Sequence, residues 1–338
     1  MPVFVVLCLL FIVVSALPTT VNAGQWQKEE IASMPTQLYV PSTAPQLAGK
    51  RALMVSLGGC GQQAKGNTEF QQQSNWQQTA DDYGLVLALP NAPDGGVLAY
   101  GCWDYYGAQH SRDNRHNDNL LALVSDLLQR ESLNIDSNQV YLSGLSSGGA
   151  MVNVLMCLAP DVFAGGGNAA GPALGTSALQ TLQVATDTQS VTEACLALAG
   201  DKREFLNTQV MSVVWGSEDA IANPGYAEVI AQSFVSLYGA DASNVANPIT
   251  GIQFNAQETR WGDEQGPRVS LTMIHGLGHA WPAGGGSGAS AFMDNQSINY
   301  PALLARFLFA NNRRVHNLNP SPSPVVMLPP SVRTNPRD

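Results

Sequence analysis

A serine set among glycines, a pair of histidines in one glycine-rich segment and a group of carboxylates between them are the residues of this chain that could share one reaction. Residues 144–148 read Gly-Leu-Ser-Ser-Gly and fit G-x-S-x-G with Ser146 at the centre. In that pattern a tight turn from strand to helix lifts one serine hydroxyl out of the sheet, and the glycines let neighbouring backbone pass close by. Ser147 fails the same register because Leu145 stands where glycine is needed. The string alone is weakly specific, since a glycine-rich turn before an ordinary helix reads the same way. A serine hydroxyl is also a weak nucleophile. Covalent catalysis by Ser146 requires a histidine base, a carboxylate to orient the imidazole, and amide donors for the oxyanion.

Five histidines are available. His110 and His116 fall in the polar stretch 109–119, which reads as a surface loop, and His316 opens the tail. His275 and His279 remain, in the segment IHGLGHAWP at 274–282 after an apolar strand at 269–273. Its two glycines oppose a helix, which disfavours a zinc-binding H-x-x-x-H pair. His279 lies further into the loop and is favoured as the base, while His275 belongs to the strand end and suits a packing or supporting role. For the acid, the strand-like run 209–215 ends in Gly216-Ser-Glu-Asp219. Asp219 is favoured because it has room to reach back, with Glu218 next and Asp201 more distant. An aspartate in such a loop can equally be a turn or cap residue. The chain order Ser, Asp, His nevertheless matches that of an α/β hydrolase. The oxyanion donors expected are the amides of Ser147 and of Cys60, the latter in LGGCGQ at 57–62. With neither G-K-[ST] nor G-x-G-x-x-G present, these glycines do not read as a phosphate cradle.

The elements that must position these groups alternate. Residues 51–57, 85–90, 139–142 and 209–215 read as short, nearly continuously apolar strands, and 68–83, 117–132, 147–159, 226–238 and 298–311 as helices. Such alternation predicts an α/β fold, a mostly parallel central sheet with helices on both faces. The reactive groups are then expected on loops at the carboxyl ends of the strands.

The chain has 338 residues, 45% of them hydrophobic and only 12% charged, with a formal net charge of −10. An acidic chain without blocks of lysine or arginine is a poor partner for nucleic acid or an anionic membrane surface. The apolar run 3–17 followed by Val21-Asn-Ala23 predicts a cleavable signal peptide over 1–23, hence a secreted or periplasmic protein without stable membrane association after cleavage. No Lys or Arg precedes the run, and an uncleaved anchor is the competing reading. Removing Cys8 leaves Cys60, Cys102, Cys157 and Cys195, which suggests two disulfides with three possible pairings. Without CxxC spacing, structural zinc is disfavoured. Residues 24–316 are expected to form the catalytic domain. Residues 317–338 carry six prolines and no period, and read as a disordered tail or linker stub.

Taken together, LGGCGQ at 57–62, GCWDYY at 101–106, GLSSGGAM at 144–151, APDVFAG at 159–165, WGSED at 215–219 and GLGHAWPAG at 276–284 resemble the esterases of the poly(3-hydroxybutyrate) depolymerase family, whose relatives include feruloyl and acetylxylan esterases. The resemblance runs from about residue 38 to 315. It implies an α/β-hydrolase domain with Ser146, Asp219 and His279 as triad, the Cys60 amide in the oxyanion hole, and no cofactor or metal. It also implies that Cys60 pairs with Cys102, leaving Cys157 for Cys195. The substrate implied is a polyester or oligoester, with plant-polysaccharide esters as the alternative and a non-catalytic binding protein as a third reading. Trp103 and Trp281 are expected either to line an acyl groove or to be core aromatics. Two features depart from the family: Gly58 stands where a histidine is usual, and only the proline-rich stub stands where a polymer-binding module commonly follows.

Overall fold

The near-continuous apolar runs fold into the middle of one sheet. In the computed structural model, residues 23–62, 68–98, 100–286 and 290–316 are described. Residues 1–22 of the expected leader and the expected tail at 317–338 lie outside them. Strands β1 (Gln25–Ile31), β2 (Met34–Val40), β3 (Arg51–Leu57), β4 (Val86–Pro90), β5 (Ile135–Leu145), β6 (Gly165–Ala169), β7 (Val210–Gly216), β8 (Asp241–Ile249), β9 (Ala256–Asp263) and β10 (Gly266–Ile274) form a ten-stranded sheet in the order β1-β2-β4-β3-β5-β6-β7-β10-β9-β8. The six from β4 to β10 pair in parallel. An antiparallel pair extends each flank. This is the α/β-hydrolase arrangement. Parallel strands must be covered on both faces, which is why β4 and β7 are buried at every residue.

The covering helices are α1 (Thr68–Gln73), α2 (Trp76–Tyr83), α3 (Asn117–Gln129), α4 (Ser147–Leu158), α5 (Thr188–Ala199), α6 (Gly225–Tyr238), α7 (Tyr300–Asn311) and the short α8 (Arg313–His316). The single helix expected over 68–83 is two, because Asn75 turns left-handed at φ 63°. Asparagine tolerates that conformation, and its side-chain amide donates to the Gly284 carbonyl at 3.3 Å. Central strand β6 reads Gly-Gly-Gly-Asn-Ala and carries no apolar signal. Its glycines make room for the layers on either side. A Cβ at Gly166 would meet the Met156 side chain of α4 at 2.9 Å, and one at Gly167 would meet Leu304 of α7 at 2.4 Å.

Disulfides join Cys60 to Cys102 and Cys157 to Cys195, the pairs implied by the resemblance. The first closes the loop after β3 onto the segment before α3, and the second staples α4 to α5.

Candidate active site

Because β3, β5, β7 and β10 run the same way, their carboxyl ends deliver four loops to one edge of the sheet. At the end of β5, Ser146 is held at φ 56° and ψ −120°. Holding a non-glycine residue there costs roughly 1–3 kcal/mol and needs support from its surroundings. The Ser146 amide donates to the Ala169 carbonyl at 2.8 Å, and its carbonyl accepts from Ala150 at 2.9 Å as α4 begins. Gly148 sits against β3, where a Cβ would lie 2.3 Å from the Leu57 carbonyl oxygen, so only glycine lets the first turn of α4 pack there. Ser146 itself stays partly exposed.

Asp219 and His279 meet across the ends of β7 and β10. Asp219 Oδ2 lies 2.7 Å from His279 Nδ1, with the carboxylate wholly buried and the imidazole 5% exposed. The other carboxylate oxygen accepts the amides of Ile221 and Ala222 at 2.9 and 2.8 Å, which fixes its direction. The two loops are zipped together by Ser217 N to the Ile274 carbonyl at 2.9 Å and Glu218 N to the Leu277 carbonyl at 3.0 Å. Gly216 permits this approach, since a Cβ would fall 2.1 Å from the Leu277 carbonyl oxygen. With Nδ1 held by the carboxylate, Nε2 is the ring nitrogen left for proton transfer. Of the alternatives, His275 is exposed at the end of β10, and Glu218 and Asp201 are exposed; neither carboxylate is the partner of His279.

Ser146, Ser147, His279, Cys60 and Gln62 all open onto one cavity of about 210 Å³. Leu98, Tyr105, Tyr106, Ile221 and Phe292 supply its apolar wall. The Ser147 amide is the first of α4 and so belongs to the group that has no partner within the helix. The resulting constellation is a serine at a strained turn, a carboxylate-held imidazole and the first amide of α4 beside a largely apolar cavity. It has the parts for acyl transfer.

Trp103 and Trp281 do not line this cavity. Both are fully buried. Trp103 donates its indole N–H to the Gly58 carbonyl at 3.1 Å, bracing the loop after β3. Trp281 donates to the Ser74 carbonyl at 3.0 Å and packs edge-on against Phe70 and Tyr300, anchoring the loop just beyond His279. Of the two roles expected for these tryptophans, the core position is the one they occupy here, each bracing a loop from the interior. The cavity residues Leu98, Tyr105, Tyr106, Ile221 and Phe292 were missed. Only Tyr105 and Tyr106 stood in a quoted motif, and nothing in the spacing of the others marks them.

The segment 109–119 is also more than a surface loop. His110 is buried, with Nε2 3.2 Å from the Tyr105 carbonyl and Nδ1 3.3 Å from Asn117 Nδ2. His116 Nδ1 accepts the Asp104 amide at 3.2 Å. Burial pulls both imidazoles below their ordinary range, so they serve as neutral hydrogen-bonding groups that shape the cavity wall.

A family model described as esterase PHB depolymerase matches residues 34–253, a span that contains Ser146 and Asp219. The chain belongs to this family. Among relatives, a poly(3-hydroxybutyrate) depolymerase of Ralstonia pickettii is 35% identical over 310 residues, covering 87% of this chain and 63% of that protein. A feruloyl esterase B of Talaromyces stipitatus is 27% identical over 300 residues, covering 82% and 74%. The present chain thus spans less than two thirds of the Ralstonia protein. An acetyl xylan esterase structure from Aspergillus awamori superposes with a TM-score of 0.60 at 17% identity, over 85% of this chain and 99% of that one, a likeness of fold. By family and fold, this chain is therefore an α/β-hydrolase-type member of the esterase and depolymerase superfamily.

Proposed function

We propose that the protein is an exported serine esterase that hydrolyses poly(3-hydroxybutyrate) or its oligomers through an acyl-enzyme. The observation that carries the chemistry is the meeting of Ser146 and the His279–Asp219 pair, bonded at 2.7 Å, on one apolar cavity. His279 takes the Ser146 proton as Oγ attacks the ester carbonyl. The Ser147 and Cys60 amides receive the oxyanion, each donor worth roughly 3 kcal/mol in the transition state. Collapse breaks the acyl C–O bond, and His279 protonates the departing alcohol. Water then gives a proton to His279 and attacks the acyl carbon; the acyl–Oγ bond breaks, His279 returns the proton to Ser146 Oγ, and the acid is released.

The polyester reading draws its support from the cavity surroundings and from the relatives. Leu98 and Ile221 line the cavity yet are 54% and 47% exposed, and Leu179 and Leu182, beside the lining residues Ala178 and Thr181, are 95% and 62% exposed. Such an apolar rim suits a hydrophobic ester better than a hydrated polysaccharide. Two disulfides support an oxidising compartment. Release of feruloyl or acetyl groups is the second reading, supported by the feruloyl esterase relative.

The test is clearing of a poly(3-hydroxybutyrate) suspension by purified protein, beside methyl ferulate and an acetylated xylan. Clearing with release of 3-hydroxybutyrate or its oligomers is expected, falling at least about 10⁴-fold in Ser146→Ala. Rapid release of ferulate or acetate without clearing would move the enzyme to plant esters. Activity retained in Ser146→Ala would overturn the mechanism.

A further inference from the structure

Gln62 is a neutral polar side chain only 2% exposed, in the wall of the cavity, and the acyl-transfer chemistry assigns it nothing. Its surroundings fix the orientation of its carboxamide. Oε1 accepts the Gly59 amide at 2.8 Å, so Nε2 must be the atom that points to the Met293 thioether, at 3.1 Å. The two ends of one side chain thus reach two different loops.

Each contact leads to the reaction centre. Gly59 abuts the nucleophile: a Cβ built on it would stand 3.1 Å from Ser146 Cβ. Met293 lies in a two-residue strand, β12 (Met293–Asp294), paired with β11 (Trp281–Pro282), two residues past His279. The neighbouring Phe292 ring stands edge-on to the His279 ring at 6.2 Å. Gln62 also returns its own amide to the Gly59 carbonyl at 3.3 Å, closing the 59–62 turn. The Gly59 N–H is spent on the carboxamide and so is not free for an oxyanion, and the next residue of the loop, Cys60, also lines the cavity.

We propose that Gln62 is a positioning residue of the oxyanion hole. It selects the Cys60 amide as donor by occupying that of Gly59, and it ties the donor loop to the loop that carries His279. This rests on the serine-esterase reading above. A side chain that only fills space would affect folding, whereas one that aims an oxyanion donor affects the transition state and leaves ground-state binding alone.

The experiment uses the full protein with a soluble p-nitrophenyl butyrate substrate and butylboronic acid, which forms a tetrahedral adduct on a reactive serine. Gln62→Met keeps the volume and removes the amide acceptor. It should lower kcat about 100-fold with KM within about twofold, and weaken boronate binding in step with kcat/KM. Gln62→Glu keeps an acceptor for Gly59 but places a carboxylate beside the developing oxyanion. Its kcat relative to the unaltered protein should rise as pH falls and the carboxyl is protonated. This isosteric variant carries the test if Gln62→Met does not fold. Wild-type kcat and boronate affinity in Gln62→Met, a lowered melting temperature with kcat unchanged, or a pH-independent ratio for Gln62→Glu would each overturn the proposal. Absence of both ester hydrolysis and fluorophosphonate labelling at Ser146 in the unaltered protein would instead overturn the serine-esterase reading and this inference with it.

Discussion

The two disulfides bridge almost the same length of chain, 42 and 38 residues, and yet sit in opposite settings. By loop entropy each is worth about 4 kcal/mol, less any native-state strain, so stability hardly distinguishes them. Location does. Cys60–Cys102 is part of the cavity wall and fixes the amide expected to receive the oxyanion. Cys157–Cys195 is buried between α4 and α5 and lines no part of the cavity. The same covalent constraint is thus predicted to act on the reaction in one place and on the fold alone in the other.

The largest effect should come from opening the cavity-side bridge. Cys60→Ala with Cys102→Ala should lower kcat on a soluble ester about 100-fold, the scale of a misplaced oxyanion donor, as well as lowering the melting temperature. Steady-state kinetics well below the melting range check it, and an unchanged kcat would erase the contrast. Opening the other bridge, Cys157→Ala with Cys195→Ala, should lower the melting temperature on the order of 10 °C while leaving kcat unchanged in the folded protein. Calorimetry beside the same assay measures both.

The smallest effect concerns pH. His110 and His116 lie in the cavity-side segment that begins at Cys102, and desolvation lowers both below the ordinary 6.5. No histidine lies in α4 or α5. As pH falls below about 6.5, the unfolded chain takes up protons that the buried imidazoles refuse, so stability declines until their depressed folded values are passed. Protonated His116 can no longer accept the Asp104 amide. The melting temperature should therefore fall with pH through this window, and His110→Gln with His116→Asn should flatten the fall. A profile identical in that variant would remove the pH contribution from the cavity side.

What was legible followed from local pattern. The apolar runs of β3, β4, β5 and β7 announce buried parallel strands, and the glycine-serine turn between β5 and α4 reads directly from the residues. The segments carrying Asp219 and His279 stand out because each follows an apolar strand. Strand β6 did not announce itself, since three glycines carry no hydrophobic period and their purpose is to admit Met156 and Leu304 from other layers. The helix at 68–83 looked continuous because a single left-handed asparagine leaves the polar and apolar spacing almost intact.

The sequence by itself determined the fold class, the strand-end placement of Ser146, Asp219 and His279, and the cysteines available for bridging, because each depends on residue type and short-range order. Only the tertiary structure decided that Asp219, rather than Glu218 or Asp201, reaches His279. It alone turned Trp103 and Trp281 inward to brace loops, and it alone set Gln62 between Gly59 and Met293, 231 residues further along the chain. Those outcomes depend on which loops the sheet order brings together at one edge, and a distance across the sheet is not encoded in spacing along the chain.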